Sequence, residues 1–267
     1  MALERSALAR PLIATLSIPA MREEKKTLRM SELVSAGVAY LDTGRGNPVL
    51  LCLHGIQGSK EAYQHFLEAP LLRQARILVP DIPGFGASRS PADLTLELHC
   101  QTERLISFLD SLGIEKIAVY GHSLGGMLAT LLLEQAPQRI LGLISSEGNL
   151  RLEDCGESRR VAAMSFEEFE ATRYPDLQNR GIRTDARGFY ETAKSVVELA
   201  ESERLLSLLT RALCPVLFIR GGASHFATVP VGSNIRNVEI PGETHFTLSE
   251  SKASVEAIAE FLVKLSG

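Results

Sequence analysis

The pentapeptide Gly121-His122-Ser123-Leu124-Gly125 constrains this chain more than any other stretch. The apolar and aromatic residues 117–120 before it read as a strand, and residues 127–135 after it read as a helix. A serine at so sharp a strand-to-helix turn takes a strained backbone conformation, and bulky neighbours in place of the glycines would clash. The turn lifts the Ser123 hydroxyl out of the sheet and sets it at a helix N-terminus. Unpaired backbone N–H groups there favour a developing negative charge. Five loosely specified residues recur by chance. A strand before and a helix after are the context that makes Ser123 a candidate nucleophile.

Around this turn the chain alternates strand and helix. Residues 32–34 and 38–41 flank Gly37 as a hairpin. Residues 49–53 form a continuous apolar run, as expected of a strand buried on both faces of a mostly parallel sheet. Residues 76–80 read as another strand, and residues 94–112 carry Leu98, Leu105, Phe108, Leu109 and Leu112 at helical spacing before Gly113. After a strand at 140–145 the alternation breaks. Residues 148–212 hold more charge and helix-like segments at 166–172, 187–200 and 203–213. Strands resume at 216–219 and 237–240, and an amphipathic helix follows at 253–265.

Such βα repeats predict an α/β protein, a mostly parallel twisted sheet with helices on both faces. The expected division is an N-terminal arm over 1–30, a core made of 31–147 and 213–267, and a small helical cap insertion over 148–212. The cap would lie above the strand ends, where open sheets bind ligands.

Composition narrows the partners. A net charge of −4 on 267 residues gives no general pull toward nucleic acid or acidic membranes. The four cysteines show no short metal-ligand spacing, and Cys52 and Cys214 lie in or beside apolar strand runs as expected of buried thiols. This usage points to a reducing, cytoplasmic setting. Between Met1 and Met21 a short apolar run, 12–18, is bracketed by Pro11 and Pro19. It is shorter and more interrupted than a secretory core, so a mobile arm is expected. No run approaches the ~20 apolar residues of a membrane helix. The expectations are a small-molecule substrate, no metal or cofactor, no nucleic-acid or membrane partner, and a monomer or homodimer.

Four features then occur in a telling order. His54-Gly55 follows the third predicted strand, and Asp81-Ile82-Pro83-Gly84-Phe85-Gly86-Ala87-Ser88 follows the fourth. Gly121-His122-Ser123-Leu124-Gly125-Gly126 follows the fifth, and Gly242-Glu243-Thr244-His245-Phe246 precedes the last helix. Over residues 31–265 the chain resembles the α/β-hydrolase superfamily. The resemblance implies that fold and an acyl-enzyme mechanism on Ser123, but says little of substrate. It implies His245 as the base, with His225 as rival because it follows the strand ending at Ile219. Two backbone N–H groups, of Leu124 and Ile56, would form the oxyanion hole, with Gly55 the neighbouring candidate to Ile56. A serine at position 123 argues against dehalogenase and epoxide hydrolase chemistry, which in this superfamily uses aspartate there.

The acid departs from the usual pattern. The common position follows the strand 215–220, where the chain reads Gly221-Gly222-Ala223-Ser224-His225, and no carboxylate occurs between Arg220 and Glu239. A minority of the superfamily places the acid after the strand that follows the nucleophile helix. Here that strand ends in Ser146-Glu147-Gly148-Asn149. Glu147 is therefore the candidate acid, with Gly148 expected to turn the chain away. The arrangement resembles zearalenone-type lactone hydrolases and some polyketide thioesterases. Asp154 or Glu243 would be the alternative partners of the histidine.

The reading is a serine hydrolase of an ester, lactone or related carbonyl bond in a small, largely apolar molecule. A thioesterase or acyltransferase is one alternative, and a hydrolase-like ligand-binding module with little turnover is another. Asp81 is expected to brace its turn through backbone N–H groups, and Ser88 to be structural. Gln57 and Tyr63 face either substrate or solvent. Phe166, Phe169, Tyr174, Phe189 and Tyr190 either line a pocket or pack the insertion.

Overall fold

A computed structural model describes residues 32–88, 95–230 and 232–265. The expected N-terminal arm, with its apolar run, lies outside the described residues. Strands β1 (Leu33–Ser35) and β2 (Val38–Asp42) pair as the hairpin. They are joined by Ala36 and Gly37 at φ 48° and 76°, the doubly positive turn that matches strand twist. Then come β3 (Val49–Leu53), β4 (Arg76–Pro80), β5 (Ile117–His122), β6 (Ile140–Ser146), β7 (Val216–Gly221) and β8 (Ile235–Ile240). They form one sheet in the order β1-β2-β4-β3-β5-β6-β7-β8. The pairs β1–β2 and β2–β4 are antiparallel and the others parallel.

Successive side chains of a strand point to opposite faces, so the apolar runs feed two cores. Leu51 and Leu53 of β3 and Val119 of β5 join one core; Leu50, Cys52 and Tyr120 join the other. Helices α1 (Gln64–Glu68), α2 (Leu98–Ser111) and α3 (Leu124–Gln135) come before β6. Between β6 and β7 lie α4 (Gly156–Ala162), α5 (Phe166–Glu168), α6 (Tyr174–Asn179), α7 (Ala186–Glu201) and α8 (Arg204–Thr210). Helix α9 (Lys252–Leu265) follows β8. Leu105, Phe108, Leu128 and Leu132 of α2 and α3 cover the first core, while Phe66 of α1 and Ile258 and Phe261 of α9 cover the second.

Several boundaries differ from the sequence reading. Helix α2 starts at Leu98, and residues 89–94 are outside the described set. The expected helix at 166–172 is instead α5, a π-helical turn Phe169–Arg173, and α6, where Pro175 takes an early helical position. Helix α4 was not anticipated. Its burial of Ser158 and Val161 is too short a pattern to stand out. The longest insertion helix, α7, buries Phe189, Ala193, Val196 and Ala200 along one face and is capped by Asp185, whose side chain accepts from the Gly188 N–H. Phe169 stacks on Phe189 at 5.8 Å, and the Tyr174 and Tyr190 hydroxyls donate to the carbonyls of Thr184 and Met164. Those aromatics pack the insertion. Among the described residues no helix is long and apolar enough to cross a membrane.

Candidate active site

Ser123 caps α3 with φ 54° and ψ −118°. A non-glycine residue in such a region costs about 1–3 kcal/mol and persists only where its surroundings fix it. The surroundings do so through backbone contact. A Cβ on Gly121 would sit 2.1 Å from the Gly125 carbonyl oxygen, and one on Gly125 would sit 2.1 Å from that of Leu53. The end of β3 is thus pressed against the start of α3. The loop after β3 lies beside the serine, since a Cβ on Gly55 would be 3.4 Å from that of Ser123. Leu124 opens α3, so its N–H has no acceptor within the helix. Ile56 and Leu124 line the same cavity as Ser123.

That loop is pinned from behind. The Nδ1 of His54 donates to the Gly55 carbonyl at 2.8 Å and its Nε2 accepts the Ile82 N–H at 3.0 Å. Burial pushes its pKa down, so the ring stays neutral. Asp81 accepts the backbone N–H groups of Lys60 and Ala87, the bracing expected of it. It also takes the buried Lys60 ammonium at 2.7 Å, a partner the sequence did not reveal. Burial alone would lower the Lys60 pKa, but the bonds to Asp81 and Glu32 outweigh it and raise it. Ser88 donates to the Asp81 carbonyl and accepts the Ala39 N–H, a structural role as expected.

Glu147 and His245 meet. The His245 Nδ1 lies 2.8 Å from Glu147 Oε2, and Glu147 Oε1 accepts the Gly221 N–H at 2.7 Å. An ionised carboxylate only accepts, so Nδ1 carries the ring proton and Nε2 is the free base. Glu147 is fully buried, and its own N–H donates to the Ile219 carbonyl. It stands at the tip of β6 while bonding the end of β7. One expectation changes here. The residue with left-handed backbone at this turn is Glu147 itself, φ 46°, not Gly148. Gly148 is needed for close approach instead, since a Cβ there would come 2.7 Å from Ser145 Oγ and 3.1 Å from Gly126 Cα.

The imidazole of His245 is sandwiched. Phe226 stacks on it at 4.8 Å with the planes 5° apart, and His122 lies 4.5 Å away. Burial, with a smaller contribution from His245, pushes the His122 pKa down to about 3. His122 is therefore a neutral floor under the site. His225 lines the cavity and packs on Phe226, but the carboxylate pairs with His245. Asp154 lines the cavity too, but its carboxylate hydrogen-bonds to backbone rather than to a histidine. Its Oδ2 accepts the N–H groups of Leu150 and Arg151, tying a tight turn.

Sequence reasoning gave Asn149 no role. Its Oδ1 accepts the Ser123 hydroxyl at 2.9 Å, and its Nδ2 donates to the Asp154 carbonyl at 2.5 Å. A polar residue two past Glu147, at a strand tip next to the nucleophile's strand, was the available signal. Ser123, Asn149, His245, Ile56, Gln57 and Tyr63 all line one cavity of about 760 Å³. Among the described residues no three His, Cys, Asp or Glu side chains gather as a metal site requires.

Comparison with known proteins agrees with this architecture. Residues 48–195 match the family described as alpha/beta hydrolase fold. An uncharacterized hydrolase of Saccharomyces cerevisiae, YNR064C, is 35% identical over 114 residues, 42% of this chain and 39% of that one. The chain spans about half the length, or less, of the curated relatives it matches. Among solved structures, the N-acyl homoserine lactonase AidH complexed with N-butanoyl homoserine has a TM-score of 0.70 at 20% identity, covering 88% of this chain and 96% of that one. A thermophilic esterase from Thermogutta terrifontis has a TM-score of 0.67 at 23% identity, covering 88% and 97%. At such identities the likeness speaks to the fold.

Proposed function

Because this chain belongs to the alpha/beta hydrolase fold family, we propose that it hydrolyses an ester, lactone or related carbonyl bond of a small, largely apolar molecule. The observation that carries the reading is the Glu147–His245 pair at 2.8 Å, with His245 and a strained Ser123 lining one cavity. Ser123 Oγ attacks the carbonyl carbon while His245 Nε2 takes its proton. Glu147 holds the Nδ1 tautomer and stabilises the imidazolium that forms. The N–H groups of Leu124 and Ile56 receive the oxyanion. The imidazolium then protonates the leaving oxygen. A water that gives its proton to His245 attacks the acyl-enzyme, and the acid leaves with Ser123 restored. The helical insertion, residues 148–212, acts as the cap, contributing residues such as Asp154, Ser158 and Val196 to the cavity wall. The lactonase and esterase among the structural neighbours are consistent with this chemistry but select no substrate.

The test is mass spectrometry after treatment with a fluorophosphonate. The expected result is one adduct, mapped to Ser123 and missing from Ser123→Ala. That variant should keep its melting temperature and lose at least about 10⁴-fold in kcat on any ester the protein cleaves. Near-normal turnover by Ser123→Ala would overturn the reading. A tightly bound but uncleaved ligand would indicate a binding module instead.

A further inference from the structure

The Ser123 hydroxyl has a single proton, and it is given to Asn149 Oδ1 at 2.9 Å. The direction of that bond is fixed by the other end of the amide. Asn149 Nδ2 faces the Asp154 carbonyl, which can only accept, so turning the amide over would set two acceptors against each other. The Asp154 carbonyl is itself held. The carboxylate of the same residue ties down the N–H groups of Leu150 and Arg151, and its N–H donates to the Arg151 carbonyl. Asn149 is buried, and so is Asp154. A rigid turn thus presents one acceptor to the serine, in the cavity that His245 also lines.

Resting on the hydrolase reading above, we infer that Asn149 is a positioning residue that holds the Ser123 proton off His245 until substrate occupies the cavity. In the free protein Ser123 is parked. A carbonyl seated against the N–H groups of Leu124 and Ile56 turns the hydroxyl toward it. Ser123 Oγ–H exchanges Asn149 Oδ1 for His245 Nε2 as its acceptor and gives its proton to that nitrogen as the bond from Oγ to carbon forms. No net proton is gained or lost in that exchange of partners. The consequence is a serine of muted reactivity in the empty site.

The experiment compares fluorophosphonate labelling rates of the full chain with those of Asn149→Ala and Asn149→Ser across pH. Asn149→Ala leaves His245 as the remaining acceptor, so labelling should be about three- to tenfold faster, the range that one net hydrogen bond spans. That new bond is made only to neutral imidazole. The acid limb of the rate should therefore move to lower pH, since the substitution leaves in place the ionisable groups around His245: Glu147 just past β6, His122 on β5 and His225 beside Phe226 after β7. Asn149→Ser keeps a donor for the Asp154 carbonyl but carries no carbonyl oxygen toward Ser123, so it too should label faster than the parent. A merely structural Asn149 predicts slower labelling in both variants and an unmoved acid limb.

Folded Asn149→Ala that labels no faster than the parent overturns the inference. If that variant does not fold, Asn149→Ser decides, and labelling no faster than the parent overturns it. Labelling of Asn149→Ala where the parent resists would support it strongly. If Ser123 labels in neither, both the inference and the hydrolase reading fall. If Ser123 labels in the parent, the hydrolase reading stands whatever Asn149 does.

Discussion

The tips of β6 and β7 lie side by side and differ in what they carry. Beyond β7 the chain reads Gly221-Gly222-Ala223-Ser224-His225, without a carboxylate where the superfamily commonly has one. Beyond β6 stands Glu147, whose side chain crosses to the Gly221 N–H and on to His245. Register makes this possible. Ser146 pairs with Ile219, so the next residue of β6 is already level with the end of β7. Glutamate, one methylene longer than aspartate, spans the remaining gap between strands. With Glu147 as the proposed acid, the charge reaches the same histidine from the neighbouring parallel strand.

The sharpest way to break this comparison is Glu147→Gln. A glutamine Oε1 can still accept the Gly221 N–H, but its Nε2 would donate to His245 Nδ1 and force the wrong tautomer. The expected loss is about 10³- to 10⁴-fold in kcat with a native circular dichroism spectrum. Asp154→Asn should change kcat less than about tenfold. A larger loss there than in Glu147→Gln would move the acid to Asp154. A smaller effect sharpens the comparison. Glu147→Ala combined with Ser224→Asp returns the carboxylate to the end of β7. It should recover about tenfold over Glu147→Ala alone, because the geometry is restored only in part. No recovery would mean that the β7 tip cannot aim an acid at His245.

A further effect concerns stability rather than rate. The folded His122 has a pKa of about 3 against about 6.5 when unfolded, so below pH 6.5 the unfolded chain binds the extra proton. Stability is then complete above pH 6.5. It falls by up to about 1.4 kcal/mol per pH unit as pH drops toward 3. His122→Gln removes that component, and thermal melts between pH 6.5 and 4 should show a shallower decline than in the parent.

What was legible in the sequence followed from periodicity and from glycines. The two-faced apolar runs of β3 and β5 and the glycines around Ser123 announced the parallel sheet and the turn, because both leave local marks. Glu147 came from the resemblance, which offers a second place for the acid where the usual one holds none, and its meeting with His245 supports that proposal. Lys60 beneath Asp81 and Asn149 beside Ser123 were missed for a shared reason. Their partners are 21 and 26 residues away, and a lone lysine or asparagine in a polar stretch carries no periodic signal of such a pairing. The π-helical turn at Phe169–Arg173 was likewise invisible, being a local accommodation between α5 and Pro175.

Phe226 stacks flat on His245 from a loop that supplies no charge to it. In proteins with the acid on this loop, one stretch must both hold the imidazole and shape the entrance, so drift in one task endangers the other. Here the buried Glu147 carries the first task from another strand. Residues 223–225 are then free to diverge while Phe226 keeps its place on the imidazole, and selection for what enters the cavity is largely uncoupled from selection for how bonds are broken. A library built across those positions should explore substrates at little risk to the reaction itself.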